Sequence, residues 1–348
     1  GHGMASVVHV DDDVLLFGPD EKKMNEVLDS LKLQKFDFKM EKDSDTHSHD
    51  FLGINVNQTE VDGKKTIKMT QLGLIKKFLE HTGMENCKPS LTPCTVQPLG
   101  TDAKGKTHSE TWECASAMGM LMCLAGNAHP EIQCAVHQCA RFTHAPKHSH
   151  SVAVKRIAHC LKGVLDKQEG LTFTTTDQLN LDLFVDADCA GLWTHEDDQD
   201  PVCVKSRTGM AVTLGDCPMT WTSKLQTETA LSTLEAECIA LAQAMRTFVP
   251  LRRAFENVTE HFGLENDKNS ESFVKSKVWE DNNGCIATCR APQLSPRTKH
   301  IAVKCHFVRN FFNMDPTVKK DHPFVLKKVE SELQKADLFT KGFSSEKF

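Results

Sequence analysis

Tyrosine is missing from all 348 residues, beside 19 Phe, so no phenol takes part in the chemistry of this chain. No apolar run approaches the ~20 residues that a membrane-spanning helix needs, and no secretory leader opens the sequence. The 14 cysteines are scattered, without CxxC spacing or a small secreted frame. That excludes a disulfide scaffold and reads as reduced thiols in a cytosolic or nuclear setting. Positive charge is not in excess: the net charge is -6, so any polyanion would have to be met by local basic patches. His144, His148 and His150 lie in the loop-like run HAPKHSH without paired Cys/His at finger spacing, which argues against structural zinc.

What is present describes an ordinary globular protein of two or three domains, 39% hydrophobic and 25% charged. Its opening, GHGMASVVHVDDD, enters a strand almost at once, which reads as a fragment of something longer. SVVHVDDDVLLF (6–17) has the pattern of a hairpin around an acidic turn. Residues 19–33 have helical spacing behind Pro19. FLGINVNQ and KTIKMT read as a second hairpin, and 71–82 as a helix with Leu74, Ile75, Phe78 and Leu79 on one face. Residues 88–110 carry Pro, Gly, Thr and Lys without period, a linker composition. Three helices follow over 111–165, and TTTDQLN (174–180) marks a second boundary. From 181 the pattern changes to three strands, a helix over about 233–247 with a further amphipathic stretch at 250–262, then strand, helix, helix, strand and a last helix in QKADLFTKG. The expectation is a mixed α/β sheet covered by helices at the C-terminus, behind an α+β segment and a helical one.

Four acidic residues stand in distinctive local settings. Asp186 ends the apolar strand LDLFVDA, Glu237 lies on the helix LSTLEAECIALAQAM, Asp281 ends VKSKVWED, and Asp337 opens ADLFTKG. Separate carboxylates gathered by a fold are what two divalent ions require. Glu235 competes with Glu237, but Ser232 and Glu235 form S-x-x-E, a capping box. Glu237, about 200° further round the helix, has apolar neighbours at helical spacing in Leu234, Leu241 and Ala244. Asp188 shares a strand face with Asp186 and is the alternative ligand there. Between Asn282 and Met314 lie Arg290, Arg297, Lys299, Lys304 and Arg309 with no Asp or Glu, a stretch suited to a phosphate backbone. Lys147 to Lys167 is a second basic region. SRTG (206–209) and LQTE (225–228) read as polar turns that could touch 2′-hydroxyls.

The order strand-Asp, helix-Glu, strand-Asp, helix-Asp resembles the ribonuclease H active site. Residues 111–345 resemble the end of a copia-type retrotransposon Pol polyprotein, through ASAMGMLMCLAGNAHPEI, FTHAPKHSH, DADCAGLW, VKSRTGMAVTLG, WTSKLQTETALSTLEAECIAL, EDNNG, RTKHIAVKCHFVR and QKADLFTKG. HVDDDVLLFG resembles that family's YVDD box, with Asp11 and Asp12 as its paired carboxylates; His9 replaces the aromatic and Asp13 adds a third charge. The resemblance implies a partial reverse-transcriptase palm and thumb over 1–95, a linker over 96–110, a helical connection over 111–178 and an RNase H-like domain over 179–345. It also implies that Asp186, Glu237, Asp281 and Asp337 hold two Mg²⁺ (or Mn²⁺) ions. Where the family has Tyr, this chain has His9, Cys114, Cys123, Cys134, Cys160, Cys238 and Cys305; the smaller thiols are expected to leave space in helix packing.

The implied activity is endonucleolytic hydrolysis of the RNA strand of an RNA–DNA hybrid. Only ten residues precede Asp11, so polymerisation would need an N-terminal part supplied from elsewhere. Partners would be the hybrid and the rest of the polyprotein, with no membrane. The setting would be cytoplasmic or nuclear, a virus-like particle for an active element. The alternative is a catalytically inactive, decayed nucleic-acid-binding remnant. An integrase-type transferase fits less well, because its helical Glu comes last rather than second.

Overall fold

The structure, a computed structural model, describes residues 6–10, 13–17, 22–26, 29, 48–61, 63–174, 179–193, 195–196, 199–261, 274–291, 302–312 and 324–344. At the N-terminus β1 (Ser6–Val10) and β2 (Asp13–Phe17) pair antiparallel, His9 opposite Val14. This is the hairpin that the alternation predicts. Asp11 and Asp12, which follow β1 in sequence, lie outside the described residues.

A four-stranded antiparallel sheet comes next, in the order β3 (Ser48–Phe51), β4 (Ile54–Val61), β5 (Lys64–Thr70), β6 (Leu171–Thr174). The last strand is a finding, since nothing in LTFT by itself demands an edge. Leu171 to Thr174 lie against Met69 to Thr66, so the chain between them leaves this sheet and returns to it.

That excursion holds four helices: α1 (Leu72–Thr82), α2 (Cys114–Asn127), α3 (Gln133–Ala140) and α4 (His148–Lys167). Ile75, Phe78, Leu121, Leu124, Ile132, Ile157 and Leu161 are fully enclosed and meet in one core. Cys114, Cys134 and Cys160 are buried here while Cys123 is exposed, so the thiols pack as small apolar groups. Residues 88–110, expected as a linker, carry no helix or strand but are fastened throughout. Ser90 N–H donates to His159 O at 2.9 Å and Leu99 N–H to Gln138 Oε1 at 2.8 Å. Polar, aperiodic composition predicts the lack of regular structure but says nothing about side chains elsewhere that can hold the backbone.

The C-terminal sheet runs β12 (Val325–Lys328), β11 (Lys277–Glu280), β7 (Leu179–Asp188), β8 (Arg207–Leu214), β9 (Cys217–Leu225), with the short β10 (Val274–Lys275) also pairing with β7. β7, β8 and β9 form an antiparallel meander, while β11 and β12 run parallel to β7. Along β7, Leu181, Leu183 and Val185 are fully buried in the core under α5 (Thr233–His261). The intervening Asp182, Phe184 and Asp186 belong to the opposite face; there Phe184 stacks on Trp279 and Asp182 accepts from the Trp279 indole N–H. α6 (Asn283–Arg290) and α7 (Ala302–Arg309) flank the sheet.

Two expectations about helices change. The helix predicted over 233–247 and the stretch at 250–262 are one helix, with Pro250 inside it. Phe248 and Arg252 are both buried either side of the proline, and tertiary burial overrides the lost N–H. QKADLFTKG forms 3₁₀ rather than α-helical structure, over Lys335–Phe339.

Candidate metal centre

Each carboxylate is delivered by an element whose hydrophobic pattern fixes its direction. Asp186 follows the buried Val185 near the end of β7. Asp281 follows β11 directly, immediately before Asn282, the residue that caps α6 by accepting from Cys285 N–H at 3.0 Å. β7 and β11 are parallel neighbours, so both aspartates emerge at the same end of the sheet. Glu237 comes down from the first turns of α5. One carboxylate oxygen from each of Asp186, Glu237 and Asp281 lies within 4.8 Å of the others. That spacing is wide enough to admit a cation and too close for three bare charges.

Glu235 and Glu237 separate as the helical geometry predicts. Glu235 takes the capping role: its backbone N–H donates to Ser232 Oγ at 3.2 Å, and its carboxylate accepts from Leu231 N–H at 2.7 Å. Glu237 faces the aspartates. Burial, then Asp186 and Asp281, push its carboxyl up to about 9, and its Oε2 is enclosed with no hydrogen-bond partner. Asp186 is also raised, by burial, although the Thr340 hydroxyl donates to its Oδ2. Asp188, the alternative on the same strand face, is raised by burial and by Asp186 and stays outside the trio.

Asp337 stands beside them on the 3₁₀ segment. Burial and the charge of Asp186 lift it to about 6, against the opposing hydrogen bond from Lys341. Its Oδ2 meets Lys341 Nζ at 2.8 Å, while its Oδ1 is buried without a partner. The segment approaches closely because Gly209, opposite Asp186 in β8, has no side chain. A Cβ there would come within 2.6 Å of Thr340 Cγ2 and 2.7 Å of Ala336 O.

Sequence reasoning missed a fifth carboxylate. Glu280 is fully buried and is raised far above the ordinary range, by burial first and then by Glu237. Asn282 N–H donates to its Oε1 at 3.1 Å, and its Oε2 has no partner. The signal was there: Val278 and Glu280 are i and i+2 on one strand, and Val278 is a core residue.

The residues suit divalent cations. Carboxylate oxygens are hard ligands, and three of those here, on Glu237, Glu280 and Asp337, are enclosed without hydrogen bonds. Such atoms are costly unless a cation or a proton meets them.

The basic stretch is less open than its composition suggests. Arg290 Nη2 donates to Leu326 O at 3.0 Å, Arg309 donates to Ala291 O, and Lys304 pairs with Glu228 at 2.6 Å. Arg297 and Lys299 lie outside the described residues. In the second basic region Lys155 pairs with Glu110 and Arg156 donates to Thr92. SRTG is no polar turn: Ser206 is fully buried, Arg207 and Thr208 are buried where β8 begins, and Gln226 is buried too. Sheet pairing and the Arg207 bond to Ser223 Oγ at 3.1 Å satisfy some of the polar groups that composition alone assigns to solvent, while Arg207 Nη2 and Gln226 Oε1 stay buried without a partner.

The domain is thus a mixed sheet, an antiparallel meander extended by two parallel strands, with three carboxylates converging at one end. No family model matches the sequence. Over 299 residues the chain is 30% identical to the retrovirus-related Pol polyprotein from transposon RE1 of Arabidopsis thaliana, a match covering 86% of this chain and 18% of that protein. It is 28% identical over 345 residues to the corresponding polyprotein from transposon TNT 1-94 of Nicotiana tabacum, covering 97% and 23%. The N-terminal RNase H domain of rv2228c from Mycobacterium tuberculosis overlaps 47% of this chain and 91% of its own, at 10% identity and a TM-score of 0.29. Over most of its length the chain is thus similar to retrovirus-related Pol polyproteins of copia-type transposons, and it spans about a fifth of the length of the relatives it matches.

Proposed function

We propose that residues 179–345 form an RNase H-type endoribonuclease that hydrolyses the RNA strand of RNA–DNA hybrids with two Mg²⁺ or Mn²⁺ ions. The observation that carries this is the convergence of Asp186, Glu237 and Asp281 within 4.8 Å, with a buried oxygen of Glu237 left for a cation. Bound ions would supply an activated water and stabilise the leaving oxygen. Asp186 and Glu237 would hold metal, with Asp281 and Asp337 completing the site. Thr340 fixes the Asp186 carboxylate through its hydroxyl, and Ser331 Oγ fixes Asp281 Oδ2 at 2.9 Å. These bonds orient the ligands before any ion arrives.

On this reading residues 1–95 are a partial palm and thumb with Asp11 and Asp12 as polymerase carboxylates, 96–110 a linker and 111–178 the connection. Arg290, Arg297, Lys299, Lys304 and Arg309 contact the hybrid, and the rest of the polyprotein is a partner in the cytoplasm, the nucleus or a virus-like particle.

The test is cleavage of a labelled RNA–DNA hybrid with Mg²⁺, by wild type and by Asp281→Asn. We expect metal-dependent cutting of the RNA strand that falls at least about 100-fold in the variant. A folded wild type that leaves the hybrid intact would make the domain an inactive remnant.

A further inference from the structure

Resting on the metal-centre reading, we propose that Lys341 is a displaceable counter-cation. Its ammonium occupies Asp337 in the metal-free site, and its departure is the cost of binding the ion that Asp337 serves. It is a positioning residue, acting through a ligand rather than on the substrate.

The geometry is one-sided. Asp337 presents Oδ2 to the Lys341 ammonium at 2.8 Å, while Oδ1 is enclosed with nothing to bond. The backbone sets up the pairing: Lys341 N–H donates to Asp337 O at 3.2 Å and Thr340 N–H to the same carbonyl at 3.1 Å. One turn therefore places the hydroxyl on Asp186 and the ammonium on Asp337. Asp186 and Asp281 add their fields to that ammonium. Its side chain is 48% exposed, so it can swing into water without leaving a cavity. A divalent ion and an ammonium sharing one carboxylate repel each other. The two cations must therefore exchange rather than coexist.

The measurement is calorimetric titration of the full chain with Mn²⁺ alone, comparing wild type, Lys341→Gln, Lys341→Arg and Asp281→Asn. Removing one like charge from a partly buried site should tighten Mn²⁺ binding about tenfold or more in Lys341→Gln. Lys341→Arg, which keeps the charge, should stay near wild type. Damage to the fold could only weaken binding, so tightening cannot be mistaken for it. If wild type binds Mn²⁺, Asp281→Asn weakens that binding and Lys341→Gln matches wild type or is weaker, the exchange is refuted while the metal centre stands. If no form of the chain takes up Mn²⁺, the metal centre itself falls, and the exchange with it.

Discussion

Glu196 and Glu237 are both shut away from water, one at the seam between the helical unit and the C-terminal sheet, the other above the carboxylate end of β7. At the seam Arg141 donates to Glu196, and Thr101 adds its backbone N–H at 3.0 Å together with its hydroxyl. Above the sheet Glu237 has a single backbone donor, from Ala187, and two like charges for company. A buried charge whose bonds are complete is a fastening. One whose neighbours repel it, with an oxygen unsatisfied, is stable only with a proton or a metal ion.

The comparison breaks most sharply at Glu237. Glu237→Gln should lower hybrid cleavage by roughly two to three orders of magnitude, as expected for loss of an ion's anchor, while raising metal-free stability at alkaline pH. The sign follows from linkage. The folded carboxyl titrates at about 9 against an ordinary 4.5, so the folded state holds the proton more tightly. Its contribution to stability is full below 4.5 and is lost as pH rises towards 9. Thermal melts of the metal-free wild type should therefore fall between pH 5 and 8, the Gln variant should flatten that fall, and a divalent ion should reverse it in wild type alone.

At the other glutamate the expected result is purely structural. Arg141→Ala leaves a buried carboxylate unpaired and should cost about 3 kcal/mol in urea unfolding. It should leave Mn²⁺ affinity of the folded protein unchanged; an equal loss of metal binding would make the seam part of the site.

A smaller effect should connect packing to the centre. Gly209→Ala forces a methyl against Thr340, Ala336 and Phe339 and should cost about 1–3 kcal/mol. The backbone there has nowhere else to go, so the 3₁₀ segment carrying Asp337 shifts, and Mn²⁺ binding should weaken with stability. Stability lost without any change in Mn²⁺ binding would show that Asp337 is positioned independently of this contact.

The convergence of Asp186, Glu237 and Asp281 was legible because the two aspartates close hydrophobic strands and Glu237 sits on an apolar helix face, and pattern fixes direction. Glu280 escaped because the eye stops at the Asp that follows it, although the alternation with Val278 puts Glu280 on the core face. The division of the helix at 247–250 and the polar turn at SRTG are overturned for a common reason: local composition describes what a residue prefers alone. Neither the burial of Phe248 beside the proline nor the strand pairing over Arg207 is written in the local segment. The partners of Lys304 and Arg290, residues 228 and 326, are likewise too distant in sequence to be anticipated.

The return of β6 to the edge of β5 has a kinetic side. The two strands meet across about 100 intervening residues, from Thr70 to Leu171; between them α2 touches α3 and α3 touches α4, while α1 packs both on α2 and on the distant α4. Contacts of short separation form early and distant pairings late. The α2–α3–α4 part can thus assemble while both strands are still free, and the docking of α1 on α4 together with the β5–β6 pairing is the latch that closes behind it. Until then β5 presents an open edge, the point at which a newly made chain is most exposed to pairing with another copy of itself.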